Sequence, residues 1–326
     1  MTSDSAMLDF KESQAPRVGF ITNCLKMPFI KKVKLAKQLG FNTLEVACWP
    51  KGHPKQCDID ADHFDVTTIK NVQNLLQQTG VSISCLAYYD NLLSADLTIR
   101  HNNQKHLKHV IDLASALGVP YVGTYVGRDL NYSIADNFSM CADTFPSLVT
   151  YAANHHVTIL IENCPMPTWD PEGFPATITY TPELWEELFN IIPDEHLALN
   201  FDPSHLYWMH IDYLAAANQF ADRIKSVHVK DVTTINNDLG RYGIYGKKVD
   251  KKHRYDYGYY QATVPGYGDI NWLQLFRVLQ DHHYRGPYEV EYKNGNGFGM
   301  ILDDQKGLRM SSHYVRDMLG LAKITS

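Results

Sequence analysis

Thr158-Ile159-Leu160-Ile161-Glu162-Asn163 is an apolar run of strand length that finishes on a carboxylate. Three later segments repeat the pattern: Leu197-Ala198-Leu199-Asn200-Phe201-Asp202, Ile224-Lys225-Ser226-Val227-His228 and Pro287-Tyr288-Glu289-Val290-Glu291. An unpaired charge buried in such surroundings is too costly to be retained by chance. Glu162, Asp202, His228 and Glu291 therefore call for a common partner. If the four strands lie parallel and side by side, their ends converge on one point, where one divalent metal ion would turn a liability into a site.

The rest of the chain alternates in the same way. Val18 to Thr22, Thr43 to Cys48, Val81 to Ala87 and Val119 to Tyr125 read as strands, and apolar residues recur at helical spacing after each. Phe29, Val33 and Ala36 mark the first helix, Ile69, Val72, Leu75 and Leu76 the second, and Leu107, Val110, Ile111, Ala114 and Leu117 the third. The fourth runs from about Asn137 to His155. Thr181-Pro182 opens the fifth, as a cap residue followed by proline in the first turn. A sixth lies around Ile211 to Ala221; Asp269 is the expected cap of the seventh, with Trp272, Leu275, Phe276 and Leu279 on one side; Val315, Met318 and Leu319 mark the last.

Eight strand–helix units without a break in composition predict a closed (β/α)8 TIM barrel rather than an open sheet. No glycine-rich dinucleotide fingerprint follows the first strand, which weighs further against the open sheet. Residues 1–15 are expected to form a loose polar arm and residues 16–326 a single barrel domain. The active site of such a barrel lies at the carboxyl ends of its strands, where all four candidate ligands sit. The loops after strands five and seven are long for a compact domain. They rise from that same face, as lids or as an oligomer contact, which leaves a homo-oligomer open.

Composition narrows the function. The net charge of −6 argues against a surface built to neutralise nucleic-acid phosphates. The six cysteines (Cys24, Cys48, Cys57, Cys85, Cys141, Cys164) show no CxxC spacing, so neither a zinc ribbon nor a disulfide scaffold is signalled. With no signal peptide and no long apolar run, the expectation is a cytoplasmic protein with reduced thiols and no membrane partner.

Strand parity refines the ligand choice. Glu289 and Glu291 share a face, Glu291 nearer the carboxyl end and Glu289 one layer deeper, while Val290 faces the helices. His228 and Lys230 share a direction, which puts an ammonium close above the metal. Two glutamates, an aspartate and a histidine suit Mn²⁺, Mg²⁺, Co²⁺ or Zn²⁺, with no soft ligand to force zinc. For any one of these residues, pairing with a lysine or arginine at the barrel rim is the simpler reading; four at corresponding strand ends favour a metal. His205 reads equally as an extra ligand, a substrate contact or a cap-region histidine. Glu45, Trp49, Tyr88, Tyr89, Asn91, Arg128 and Asn163 stand at strand ends and are candidates to face substrate. The tyrosine-rich stretch from Arg254 to Tyr267 is either a wall against a bound ligand or the packing of its own loop.

Asp202-Pro203-Ser204-His205-Leu206, His228-Val229-Lys230-Asp231, Pro265-Gly266-Tyr267-Gly268-Asp269-Ile270-Asn271-Trp272 and Gly286-Pro287-Tyr288-Glu289-Val290-Glu291 resemble the xylose isomerase-like barrel superfamily. More narrowly, they look like its sugar phosphate isomerase/epimerase branch. The resemblance implies one divalent metal held by Glu162, Asp202, His228 and Glu291. It also implies proton exchange with a carbohydrate by Glu162 and Glu291 through a metal-stabilised enediolate, with His205 and Lys230 orienting substrate. A related DNA-repair endonuclease branch adds histidine ligands from earlier strands; Ser84 to Tyr89 and Tyr121 to Arg128 hold none, so a trinuclear site is not expected. Epimerases of the superfamily often place an arginine shortly after the strand-seven histidine, where this chain has Thr233-Thr234. The expected function is a metal-dependent sugar or sugar-phosphate isomerase or epimerase. The alternative is a lyase or dehydratase acting on a keto-sugar or inosose, ahead of an endonuclease or a catalytically silent sugar-binding barrel.

Overall fold

The computed structural model describes residues 15–253, 256–292 and 303–324. The expected N-terminal arm lies, but for Ala15, outside the described residues, as does Arg254. The strands are β1 (Val18–Ile21), β2 (Thr43–Ala47), β3 (Ser82–Ala87), β4 (Tyr121–Thr124), β5 (Thr158–Glu162), β6 (Leu197–Phe201), β7 (Ile224–Val229), β8 (Asp231–Thr234), β9 (Tyr260–Thr263) and β10 (Tyr288–Val290). Eight of them close into a barrel in the order β1-β10-β7-β6-β5-β4-β3-β2, and every barrel pairing is parallel. Strands so placed are covered on both faces, which is why they read as near-continuous apolar runs. β2, β6 and β10 are buried at every position.

The covering helices are α1 (Phe29–Gln38), α2 (Val66–Thr79), α3 (Leu97–Leu117), α4 (Ile134–Asn154), α5 (Pro182–Ile191), α6 (Pro203–Trp208), α7 (Tyr213–Gln219), α8 (Asn236–Tyr242), α9 (Trp272–Asp281) and α10 (Asp304–Ile324). Local chemistry sets their ends. Asp65 caps α2 by accepting from the Thr68 amide, and left-handed Gly80 stops it. Ser133 and Asp136 form a reciprocal capping box on α4. Thr181 and Pro182 open α5 as the sequence predicts. The cap of α9 differs from expectation: Asn271, not Asp269, accepts from the Gln274 amide. Asp269 is drawn away because its carboxylate accepts from the Thr234 amide and the hydroxyls of Thr233 and Thr234.

The connection after β7 has structure of its own. β8 and β9 pair antiparallel, with α8 between them in the chain. Asp231 anchors this excursion. Its buried carboxylate accepts from the amides of Gly266, Gly268 and Ile270 and from the Trp272 indole. The Pro265-to-Trp272 motif is thus a backbone wrap around one carboxylate. A β-carbon at Gly268 would collide with it, and Gly266 sits at φ +91°.

Candidate active site

Each member of the predicted quartet stands at the end of a barrel strand. Glu162 is the last residue of β5, His228 lies in β7, and Asp202 and Glu291 follow β6 and β10 directly. Their donor atoms lie within 4.8 Å of one another. Asp202 is fixed by its place at the start of α6, where one carboxylate oxygen accepts from the Ser204 amide at 2.8 Å. The Nδ1 atom of His228 points into the group, 3.4 Å from Glu162 Oε1 and 3.9 Å from Glu291 Oε2. On the opposite edge of the ring, Nε2 lies 3.0 Å from Glu45 Oε2. A carboxylate there can accept a proton on Nε2, and a divalent ion bound at the quartet would stand in place of a proton on Nδ1, the atom that faces the acids.

Whether these residues suit a divalent cation is tested by the charge they bring together. Three carboxylates and the Nδ1 atom of His228 converge in a largely buried pocket. Such a set calls for positive charge among them, which fits a cation. Lys230 partly fills that role: its ammonium lies 2.6 Å from Glu291 Oε2, 2.7 Å from Asp202 Oδ2 and 4.0 Å from Glu162 Oε1. The ion-pair reading and the metal reading therefore meet at one point, with lysine as the local counter-charge.

The electrostatics follow from burial and charge together. Burial works to raise the Glu162 carboxyl, but hydrogen bonds from His205 and His228 and the charge of Lys230 hold it well below the usual range. Burial likewise opposes charge on His228, and Glu45 and Glu162 overcome it, raising the imidazole. One layer deeper, as parity predicts, Glu289 is fully buried and accepts from the Ser84 hydroxyl; burial pushes it up to about 8. Gly19 makes room for it, since a β-carbon there would collide with Glu289.

Above the quartet lies a cleft of about 280 Å³. Glu162, His205, His228, Lys230 and Glu291 form its floor, with Trp49, Tyr89 and Tyr125 to one side. Trp208, Tyr257 and Tyr260 form a second wall, with Trp208 and Tyr260 stacked at 4.7 Å and Tyr257 and Tyr260 at 5.1 Å. A larger depression of about 760 Å³ on the outer surface beside α4 and α5 contains none of the quartet.

The other sequence candidates divide. Trp49, Tyr89, His205 and Lys230 line the cleft. His205 takes the Trp208 indole N–H on Nδ1 at 3.3 Å and sets Nε2 3.4 Å from both Glu162 and Asp202. Glu45 is buried beneath the cleft, bonded by Tyr89 and His228, and so faces those two side chains rather than substrate. Asn163 is not free to face substrate, because its amide bonds the backbone N–H and C=O of Asp202. Arg128 is not brought to the cleft; its guanidinium donates to the carbonyls of Pro175 and Tyr132. Asn91 clamps the backbone of Arg128, and Tyr88 donates to Asn103.

Sequence reasoning passed over Tyr125, Cys164 and Trp208. Trp208 had a usable signal, three residues beyond His205 on one helical face. Cys164, two residues beyond Glu162, shares its strand parity.

A sequence model of the xylose isomerase-like TIM barrel matches residues 33–318. The chain belongs to this family. Among solved members of the fold, a structure of L-ribulose 3-epimerase superposes with a TM-score of 0.70 at 14% identity, covering 95% of this chain and 96% of that one. The inosose dehydratase of Clostridium perfringens is 31% identical over 122 residues, 36% of this chain. The aligned segment spans only 37% of that dehydratase. The Bacillus subtilis protein YfiH is 22% identical over 317 residues, 90% of this chain and 96% of its own length. Within the xylose isomerase-like barrels, then, this chain is similar both to an epimerase in fold and to a dehydratase in local sequence.

Proposed function

We propose that this barrel is a divalent-metal-dependent enzyme that moves a proton at a carbon beside the carbonyl of a small carbohydrate, as an isomerase or epimerase. The convergence of Glu162, Asp202, His228 and Glu291 donor atoms within 4.8 Å, beneath an aromatic-walled cleft, carries the reading. These four residues would hold one Mn²⁺, Mg²⁺, Co²⁺ or Zn²⁺ ion, and three carboxylates with one imidazole favour the harder ions. When bound, such an ion polarises a carbonyl and an adjacent hydroxyl. One of Glu162 and Glu291 takes the carbon-bound proton, the electron pair passing toward the carbonyl oxygen, and the other returns a proton. His205 and Lys230 stand close enough to that floor to donate to substrate oxygens. Trp49, Tyr89, Trp208 and Tyr260 exclude water and offer flat faces to a sugar ring.

The local identity to an inosose dehydratase favours a second reading, in which the abstracted proton is followed by loss of a neighbouring hydroxyl as water. Incubating the metal-loaded protein in deuterium oxide with a panel of ketoses and keto-inositols separates the two. Deuterium on recovered sugar supports isomerase or epimerase chemistry, and an unsaturated product supports the dehydratase. Neither outcome with any member, or full activity in chelator-stripped protein, overturns the proposal. No described helix is long and apolar enough to cross a membrane. The free thiols fit a cytoplasmic setting.

A further inference from the structure

Asp62, in the connection after β2, lies against two histidines of α3. His106 Nδ1 is 2.9 Å from Asp62 Oδ1, and His109 Nδ1 is 2.7 Å from the same oxygen. None of the three lines the cleft. His106 and His109 share a helix face by their three-residue spacing, so the pair is presented as a unit. The far edge of the His106 ring is also occupied, with Nε2 2.8 Å from the carbonyl oxygen of Cys48. A neutral imidazole has one N–H, and here two oxygen acceptors flank it. If Nε2 donates to Cys48, Nδ1 faces Asp62 either with a second proton, as an imidazolium, or with its lone pair directed at a metal cation between them. A backbone carbonyl holding one ring nitrogen so that the other can ligate is a recurrent arrangement at metal sites.

We propose that Asp62, His106 and His109 form a second divalent-cation site, of zinc type, that fastens the β2 connection to α3. Two imidazoles and one carboxylate suit Zn²⁺ better than Mg²⁺ or Mn²⁺, in contrast to the oxygen-rich quartet in the cleft. Ligands at about 2.0–2.1 Å in a tetrahedron stand roughly 3.3 Å apart, so the three side chains need to open by about half an ångström. Their exposure permits it: the side chain of His106 is 6% exposed, but Asp62 is 26% and His109 33%. Water can reach the fourth position. The site has a mechanical consequence, because the Cys48 carbonyl that His106 holds directly precedes Trp49 at the cleft wall. The backbone of Cys48 also pairs with that of Cys57 in an isolated antiparallel β-bridge, both thiols being free, which ties both ends of the intervening loop to the same clamp.

The test counts metal on the full chain. Protein stripped with chelator, loaded with Zn²⁺ and passed through a desalting column is expected to retain one more equivalent than His109→Ala or Asp62→Ala treated alike. That difference reads this site whether or not the cleft quartet holds an ion. Diffraction at the zinc edge should place an anomalous peak about 2.0–2.1 Å from both Nδ1 atoms. With Mg²⁺ in place of Zn²⁺, wild type and variants should retain equal amounts. Equal zinc content in wild type and both variants, or no peak between the rings, would sink the proposal and leave an Asp–His ion pair. Since His109 is a third exposed, its alanine variant is expected to fold, and His109→Gln serves as the conservative check.

Discussion

At the scale of single residues, Glu45 determines how His228 presents itself. Its carboxylate lies 3.0 Å from Nε2, and a ligating imidazole depends on such a partner for tautomer and orientation. Glu45→Gln is expected to weaken divalent binding to the quartet about 10- to 100-fold. Metal titration of the stripped protein measures this, and an unchanged affinity would remove Glu45 from that role. On the proposed mechanism, Glu162→Gln and Glu291→Gln would each take away a proton-transfer group as well as a ligand. Each is expected to slow solvent deuterium exchange into substrate by at least the roughly 10²–10⁴-fold typical of a lost acid or base. A variant that retained wild-type exchange would show that its glutamate moves no proton.

At the scale of elements, α1 is joined to the β2 connection by a buried ion pair. Lys32 is fully buried, and its ammonium lies 2.8 Å from Asp58 Oδ1 while also donating to Gln56. Burial pushes the Asp58 carboxyl up, and Lys32 works against that shift. Removing one member of a buried pair strands the other, which typically costs about 3–5 kcal/mol. Lys32→Ala is expected to lose stability of that order in urea unfolding, and a loss under about 1 kcal/mol would mean that water or relaxation rescues Asp58. The same connection carries Trp49 and Lys55 into the cleft wall, so the packing of α1 bears on the site without touching it. The β8–β9 excursion works in a comparable way. Asp231 organises its return path, while its aromatic residues, with Trp208 of α6, form the opposite wall.

At the scale of the whole molecule, burial of acidic hydrogens shapes the response to alkali. Burial alone pushes the Cys141 thiol from 9.0 up to about 12, and burial first, then nearby aspartates, pushes Cys57 up to about 11. A thiol whose folded pKa lies above its unfolded value keeps a proton that the unfolded chain has released. Stability is therefore expected to fall as pH rises above about 9, levelling only when the folded thiols also ionise. Urea midpoints measured between pH 8 and pH 11 check the sign, and Cys141→Ala should show a shallower decline. A midpoint that rises with pH over this range would contradict it.

The barrel was legible in the chain because strand-length apolar runs and period-3.6 apolar patterns are local, and eight repeats of one unit leave little choice of topology. Strand parity is local too, which is why Glu291 at the cleft and Glu289 beneath it could be told apart in advance. What sequence could not supply was the direction of a side chain leaving a loop. Asn163 and Arg128 sit at strand ends like the ligands, yet Asn163 bonds the backbone of Asp202, and Arg128 donates to Pro175 and Tyr132. Nothing in a one-dimensional pattern separates an amide that binds substrate from one that braces the neighbouring strand. The Asp62–His106–His109 cluster is of the same kind, since 44 residues separate Asp62 from His106 and only the docking of α3 against the β2 connection brings them together. The sequence alone determined the order of the elements and which residues stand at the strand ends, because those follow from neighbours along the chain. Only the tertiary structure decided which of those residues face one another, because that depends on contacts between segments far apart in sequence.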